Sequence, residues 1–340
     1  MAVIKANAYG HGLVRVAKAL PNADAFGVAR LDEALALRDA GIGNRIVLLE
    51  GVSSSADLTA AVQFQLDCVV HESSQLRMLR DLPSATRLRV WLKFDTGMNR
   101  LGFRCEEATD VHRYLQALRA QSLEVHLMTH FACADERENS ATRDQYARLQ
   151  SVQQKLASFN GARRMPVSVS NSAGILGWPD LRSDWVRAGL ALYGISPFAD
   201  CKAANFGLTP VMSLKTAVIA IRDVPVSESV GYGAAWRAET RSAIAILAGG
   251  YGDGIPRRLP TGTPVIINGR RVPIVGRVSM DMLAVDVTGV PDVGVGTAAE
   301  FWGPSLPVEE IAAIAGTIPY EILCGVSQRV PFERVRSQTQ

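Results

Sequence analysis

The chain has 340 residues, 48% hydrophobic and 20% charged, which fits a folded enzyme and excludes a disordered or fibrous chain. Its net charge of +3 is spread without a basic block, giving no reason to expect a nucleic-acid or anionic-membrane surface. Five scattered cysteines (Cys68, Cys105, Cys133, Cys201, Cys324) without CxxC spacing read as reduced thiols of a cytoplasmic protein with no zinc site.

No apolar run reaches the ~18 residues of a membrane span, and no charged-then-apolar leader opens the chain. Short apolar runs alternate with amphipathic stretches over the first 195 residues. Candidate strands are Ala2–Lys5, Ala25–Ala29, Arg45–Glu50, Leu66–Val70, Arg87–Phe94, Leu123–His130, Pro166–Asn171 and Val186–Tyr193. Helical patterns fall between them, at Gly12–Leu20, Asp32–Asp39, Ser55–Gln65, Ser74–Leu79, Glu106–Ala120, Ala141–Ser158 and Ser172–Gly177. Eight strands with intervening helices predict an α/β fold of the (β/α)8, TIM-type barrel class, with its active site just after the strands.

The first strand carries the sharpest chemical signal. Ala2-Val3-Ile4 reads as buried and ends at Lys5, and Gly10 and Gly12 open a helix from about His11. Burial lowers a lysine pKa, and a neutral lysine can form a Schiff base with an aldehyde cofactor.

The pattern changes after Ser196. Candidate strands Lys215–Ile221, Ser242–Leu247, Pro264–Ile267, Val272–Gly276, Met282–Val287 and Ala298–Trp302 predict a mainly β domain, with one helix at Val308–Ala315. Asn268-Gly269 between apolar runs signals a hairpin. The expected division is 1–200 for the barrel and 201–340 for the β domain.

Taken together, AVIKANAYGHG, KFDTGMNRLGF, MTHFACAD, SNSAG, VRAGLALYG, VGYGAAW, AGGYGDGIPRR, VGRVSMDMLAVD and IPYEILCGVSQRVP resemble the alanine racemases, which interconvert L- and D-alanine with pyridoxal 5'-phosphate. The resemblance covers nearly the whole chain. It implies that Lys5 holds the cofactor and exchanges a proton with D-alanine, and that Tyr232 is the second base, for L-alanine, supplied by the other subunit of a homodimer. A phenol ionises near 10, so a base at neutral pH needs roughly 4 kcal/mol of help from cationic neighbours.

The same resemblance places Arg187 opposite the pyridine nitrogen. An arginine keeps its own proton and leaves that nitrogen bare, which weakens the electron sink and disfavours side reactions. His130 would stack on the ring and link to Arg187. Tyr9, Ser172, the backbone of Gly189 and Leu190, and Tyr320 would hold the phosphate. Arg100, Met280 and Asp281 would reach the substrate, the last two from the partner. Lys93 stands where many relatives carry an N-carboxylated lysine that orients the arginine, and Tyr251 would support Tyr232. By their local surroundings alone, Arg187 also suits a rim salt bridge, Ser172 a helix N-cap, and Met280 a core position.

Relatives usually carry a strand and a helix ahead of the lysine strand, whereas Met1 stands four residues before Lys5. A chain starting here is expected to leave apolar barrel wall uncovered, at roughly 25 cal/mol per Å2. The competing functions are a pyridoxal phosphate decarboxylase on the same plan, which calls for an acidic partner at the pyridine nitrogen and a glycine run, and a non-catalytic cofactor-binding protein or inactive fragment. Arg187 and the lack of a Gly-Gly-Gly run speak against the first, and Tyr232 and Tyr320 against a non-catalytic cofactor-binding protein, while an inactive fragment stays open.

Overall fold

The computed structural model describes residues 1–83, 86–118, 122–159 and 164–335. The chain divides into two compact units, Met1–Leu192 with Ser196–Phe206, and Tyr193–Ile195 with Gly207–Gln340.

The N-terminal unit is a parallel sheet flanked by helices. Its strands are β1 (Ala2–Val3), β2 (Ala25–Val28), β3 (Arg45–Leu48), β4 (Asp67–Val70), β5 (Arg87–Asp95), β6 (Phe103–Arg104), β7 (Ser122–Met128) and β8 (Val167–Ser168). They pair in the order β1-β2-β3-β4-β5-β7-β8, with β6 on the side of β5. Helices Leu13–Ala19, Leu31–Asp39, Ser55–Gln63, Ser73–Arg80, Ala108–Ala117, Ala141–Phe159 and Ser172–Gly177 alternate with the strands. The expected helix Glu106–Ala120 is split: a 3-10 turn over Cys105–Glu107 leads into Ala108–Ala117, and Ala120 lies outside the described residues.

The expected eighth strand, Val186–Tyr193, does not form as a strand. The segment after β8 first runs beside it, with Trp185 N donating to Val167 O (3.0 Å) and Arg187 N to Ser170 O (2.8 Å). It then meets β1 in a single parallel bridge, Ala2↔Ala188, where Val3 N donates to Ala188 O (2.8 Å). That bridge closes the TIM-like ring. Leu190–Tyr193 then turns into a 3-10 helix. The ladder ends because its next amides are taken: the Ser172 hydroxyl accepts the N–H of Gly189 (3.0 Å) and of Ala191 (3.2 Å).

Strands buried on both faces need continuous apolar runs, and β2 and β4 are buried at every position. Ala25, Val47, Val69, Trp91 and Met128 pack with Met1 into one cluster. Asp67 is the charged exception. It accepts from Trp91 Nε1 (3.0 Å) and Arg89 Nη1 (3.2 Å), yet burial outweighs the arginines and raises its pKa.

The C-terminal unit is mainly β. Strands β9 (Leu214–Val224), β12 (Ser242–Ala248), β13 (Pro264–Ile267), β14 (Arg270–Val275), β15 (Met282–Asp286) and β16 (Ala298–Trp302) close an antiparallel barrel, ordered β12-β15-β14-β13-β16-β9. Asn268 (φ 46°) and Gly269 (φ 71°) form the expected hairpin turn, pairing Ile267 with Arg270. A separate two-stranded ribbon, β10 (Ser229–Val230) and β11 (Trp236–Arg237), carries the Tyr232 turn. Helix Val308–Ile314 appears as expected, and a second helix follows at Pro319–Cys324, too short to show a period in sequence.

Candidate active site

Lys5 stands where β1 gives way to a left-handed turn. Ala6, Asn7, Ala8 and Tyr9 all have φ between 51° and 54°. Left-handed helical backbone costs L-residues about 1–2 kcal/mol each, so this turn persists only because its surroundings dictate it. Glu33 accepts the N–H of Ala6 (2.6 Å) and of Ala29 (2.8 Å). The Asn7 side-chain oxygen accepts Leu13 N (2.8 Å) at the start of the next helix. His11 Nδ1 lies 3.1 and 2.9 Å from the carbonyls of Ala8 and Tyr9, so it carries the proton and donates. The expected helix from His11 begins at Leu13, because the left-handed turn occupies the preceding residues.

Lys5 itself is half-buried, not the enclosed ammonium its strand suggested. The buried lysine is Lys93, near the end of β5 and 7% exposed. Burial pulls its pKa down to about 8, with further lowering by Arg187, Arg100 and Lys5. Lys93, Arg100, Thr129 and His130 line one crevice.

Arg187 is 4% exposed and meets neutral acceptors rather than a salt bridge at the rim. It donates to Ser168 Oγ (2.7 Å), Thr129 O (2.8 Å) and Val169 O (3.1 Å). Its Nη2 also lies 3.2 Å from His130 Nδ1. A guanidinium only donates, so Nδ1 is the acceptor. Burial, then the charges of Arg187, Lys93, Arg100 and Lys5, push His130 well below its usual pKa and keep the ring neutral. Burial lowers Arg187 only to about 10, so it stays a cation.

Arg100 is exposed on a loop whose shape Asp95 dictates. Asp95 Oδ1 accepts Gly97 N (2.9 Å) and Asn99 N (3.0 Å). Gly102 (φ 135°) comes so close that an added Cβ would sit 2.4 Å from Asp95 N.

Tyr9, Ser172 and Gly189 meet on the other side of β1. A Cβ on Gly189 would fall 2.7 Å from the Tyr9 hydroxyl. Ser172 is not the helix cap; that role belongs to Asn171, whose side chain accepts Gly174 N (2.9 Å). With two amides donating to Ser172 Oγ, its own proton is left to donate outward. The Gly189 amide is thereby engaged by Ser172 instead of facing outward, and Leu190, buried, follows it into the 3-10 helix. Two hydroxyls over a glycine that no side chain may fill suit a phosphate.

The remaining candidates belong to the C-terminal unit. Tyr232 is 68% exposed, in a turn between Gly231 (φ 77°) and Gly233 (φ 71°). The Arg277 guanidinium lies against Gly233, where a Cβ would be 3.3 Å from Nη1. Met280 is 53% exposed, so it is not a core residue, and Asp281 and Tyr251 are exposed too. Tyr320 lies in the first turn of helix Pro319–Cys324.

Three bracing residues escaped the sequence reading. Ser168 receives Arg187. Gln145, 2% exposed, accepts Ala132 N (2.8 Å) and donates to His130 O (3.0 Å) and Thr96 Oγ1 (3.2 Å). Arg329 is described below. Polar residues on the buried stripe of Ala141–Phe159, Thr142 and Gln145, are the signal that could have pointed to the Gln145 brace. A cavity of about 680 Å3, lined by residues such as Tyr146, Arg164 and Trp178, contains none of the candidates.

The family described as "Alanine racemase, N-terminal domain" matches residues 1–197, and "Alanine racemase, C-terminal domain" matches 211–334. An alanine racemase of Shewanella baltica (strain OS185) is 49% identical over 330 residues, 97% of this chain and 90% of that protein. One from Shewanella denitrificans is 48% identical over 334 residues, with the same coverage. The biosynthetic alanine racemase of Pseudomonas aeruginosa superposes with a TM-score of 0.89 at 43% identity, and that of Acinetobacter baumannii with 0.89 at 38%; each match covers 97% of this chain and 90% of the other. With both halves matched in order and the relatives aligned along nearly its whole length, the chain belongs to the alanine racemase family.

Proposed function

We propose that the chain interconverts L- and D-alanine with pyridoxal 5'-phosphate, the cofactor of its family, and so supplies or degrades D-alanine for peptidoglycan. The observation that carries this reading is Arg187: a buried cation, paired with a neutral His130, in the segment that bridges to the lysine strand. It suits a ring nitrogen kept unprotonated. When bound, the cofactor supplies the electron withdrawal that loosens the Cα–H bond of alanine.

The chain's own residues do the rest. Lys5 holds the cofactor aldehyde and exchanges the Cα proton on the D-alanine face. Tyr232 of a second copy exchanges it on the L-alanine face. Tyr9, Ser172, Leu190 and Tyr320 hold the phosphate, with Gly189 opening the space. Arg100 receives the substrate carboxylate, Met280 and Asp281 of the second copy reach the substrate, and Tyr251 supports Tyr232. Lys93, with its pKa near 8 among three cations, is a lysine suited to N-carboxylation: the neutral amine adds to CO2 and loses a proton, giving an anion that orients Arg100.

The dimer reading draws support from exposed Tyr232, Met280, Met282 and Tyr251 on one unit. Large apolar side chains in numbers commonly mark an interface. We place the protein in the cytoplasm because its five cysteines are odd in number, scattered and free of CxxC spacing. Among the described residues, no helix is long and apolar enough to cross a membrane.

The test is loss of optical rotation from L-alanine with added cofactor, across protein concentrations. Rotation should decay to zero, with activity per chain falling on dilution. No decay at any concentration overturns the reading, and CO2 release from basic amino acids would put the decarboxylase in its place.

A further inference from the structure

One guanidinium in the C-terminal unit joins two turns that the reaction above draws on. Arg329 donates from Nε to Asp253 Oδ1 (2.8 Å) and from Nη2 to Asp253 Oδ2 (3.0 Å). The same Nη2 lies 2.8 Å from Asp281 Oδ1 and 3.4 Å from Met280 O. Arg329 therefore links the Tyr251–Asp253 turn to the segment Ser279–Asp281.

Backbone bonds run alongside this link. Gly249 N donates to Asp281 O (2.9 Å), Tyr251 N to Ser279 O (3.0 Å) and Gly252 N to Met280 O (2.9 Å). The approach leaves no room for side chains. A Cβ on Gly250 would fall 2.2 Å from Ser279 O, and one on Gly252 2.7 Å from Arg329 Nη2. Asp253 completes the clamp, taking Gly250 N on Oδ2 (2.8 Å) and Ser327 N on its carbonyl (3.2 Å).

The chemistry demands an arginine. Its Nε–Nη2 edge matches one carboxylate in two parallel bonds while Nη2 still reaches a second; a lysine offers only a point charge. The side chains of Arg329 and Asp281 are 47% and 58% exposed, so the ion pairs add little to stability. What the network does is set where the two turns lie.

We propose that Arg329 is a positioning residue for the substrate: it touches no reacting atom, but holds Met280-Asp281 and Tyr251 in the arrangement in which they meet alanine. The proposal rests on the functional reading above.

The test compares Arg329→Met, Arg329→Lys and Asp281→Asn with the unaltered full chain, each loaded with cofactor. For Arg329→Met, KM for both alanine enantiomers should rise about tenfold. kcat should stay within about threefold, and cofactor affinity and absorbance should not change. Arg329→Lys should fall between the two, and Asp281→Asn should shift KM in the same direction. Amide hydrogen exchange supplies a readout independent of activity: Tyr251 and Gly252 should exchange about tenfold faster in Arg329→Met. Faster exchange with unchanged KM makes the clamp merely structural and overturns the proposal, as does unchanged exchange. Loss of cofactor binding or of folding in Arg329→Lys overturns it as well, by assigning Arg329 to folding. If the unaltered chain racemises nothing, the functional reading has failed, and the clamp is judged on exchange alone.

Discussion

The two units present their candidate chemistry in opposite states. In the N-terminal unit the groups are enclosed and braced: Arg187 and Lys93 are at most 7% exposed, and Gln145 and Ser168 hold their neighbours. In the C-terminal unit, Tyr232 and Met280 are 68% and 53% exposed, on turns held by glycines. A phenol ionises near 10 and acts as a base at neutral pH only where cations favour its phenolate. The difference teaches that folding of the chain encloses one set of candidate groups and leaves the other open to solvent.

The largest expected effect breaks the enclosed half. Lys5→Ala should remove the visible absorbance of covalently held cofactor and cut racemisation about 1,000-fold or more. Residual wild-type absorbance in that variant would take the attachment role away from Lys5.

Tyr232→Phe sharpens the contrast. Losing a hydroxyl from so exposed a side chain should alter stability by no more than about 0.5 kcal/mol. Racemisation should nevertheless fall about 100- to 10,000-fold, with cofactor absorbance intact. Full activity would remove the second base from the mechanism.

Gln145→Leu probes the brace behind His130. It removes the hydrogen bonds to Ala132 N–H, His130 O and Thr96 Oγ1, each worth about 1 kcal/mol. Urea unfolding should report that loss, and cofactor affinity should weaken about tenfold. A variant with unchanged affinity would show that His130 keeps its place unaided.

The smallest effect concerns pH. His130 is held below its ordinary value of 6.5, so the unfolded chain binds a proton there that the folded chain refuses. Its contribution to stability is complete above about 6.5 and is lost as pH falls. Urea midpoints should decline from pH 7 to 5.5, and His130→Gln should decline less. Equal slopes would show that another group governs acid sensitivity.

The sequence resolved some features and not others, for reasons specific to each. Periodicity found β1 to β5, β7 and β8 to within a few residues, since each carries an apolar run bounded by turn residues. It overran at Val186–Tyr193, because Ser172, distant in the chain, captures the amides that a strand would have used. The two-residue strand β6 and the ribbon β10–β11 are too short to carry a pattern. Among candidate site residues, motif order singled out Lys5, Arg187 and Tyr232, while the lysine that burial perturbs is Lys93. Gln145 and Arg329 were missed because a brace is defined by what it reaches, not by its neighbours in sequence.

What the amino-acid sequence determined by itself is the order of elements, the barrel class and the set of chemical groups, because apolar period and motif order are local properties of the chain. Only the tertiary structure decided which groups are enclosed and which are exposed, how the ring closes through one bridge at Ala188, and that a left-handed turn anchors Lys5. Burial, close approach and strain arise from residues far apart in the chain, and they exist only once the chain has folded.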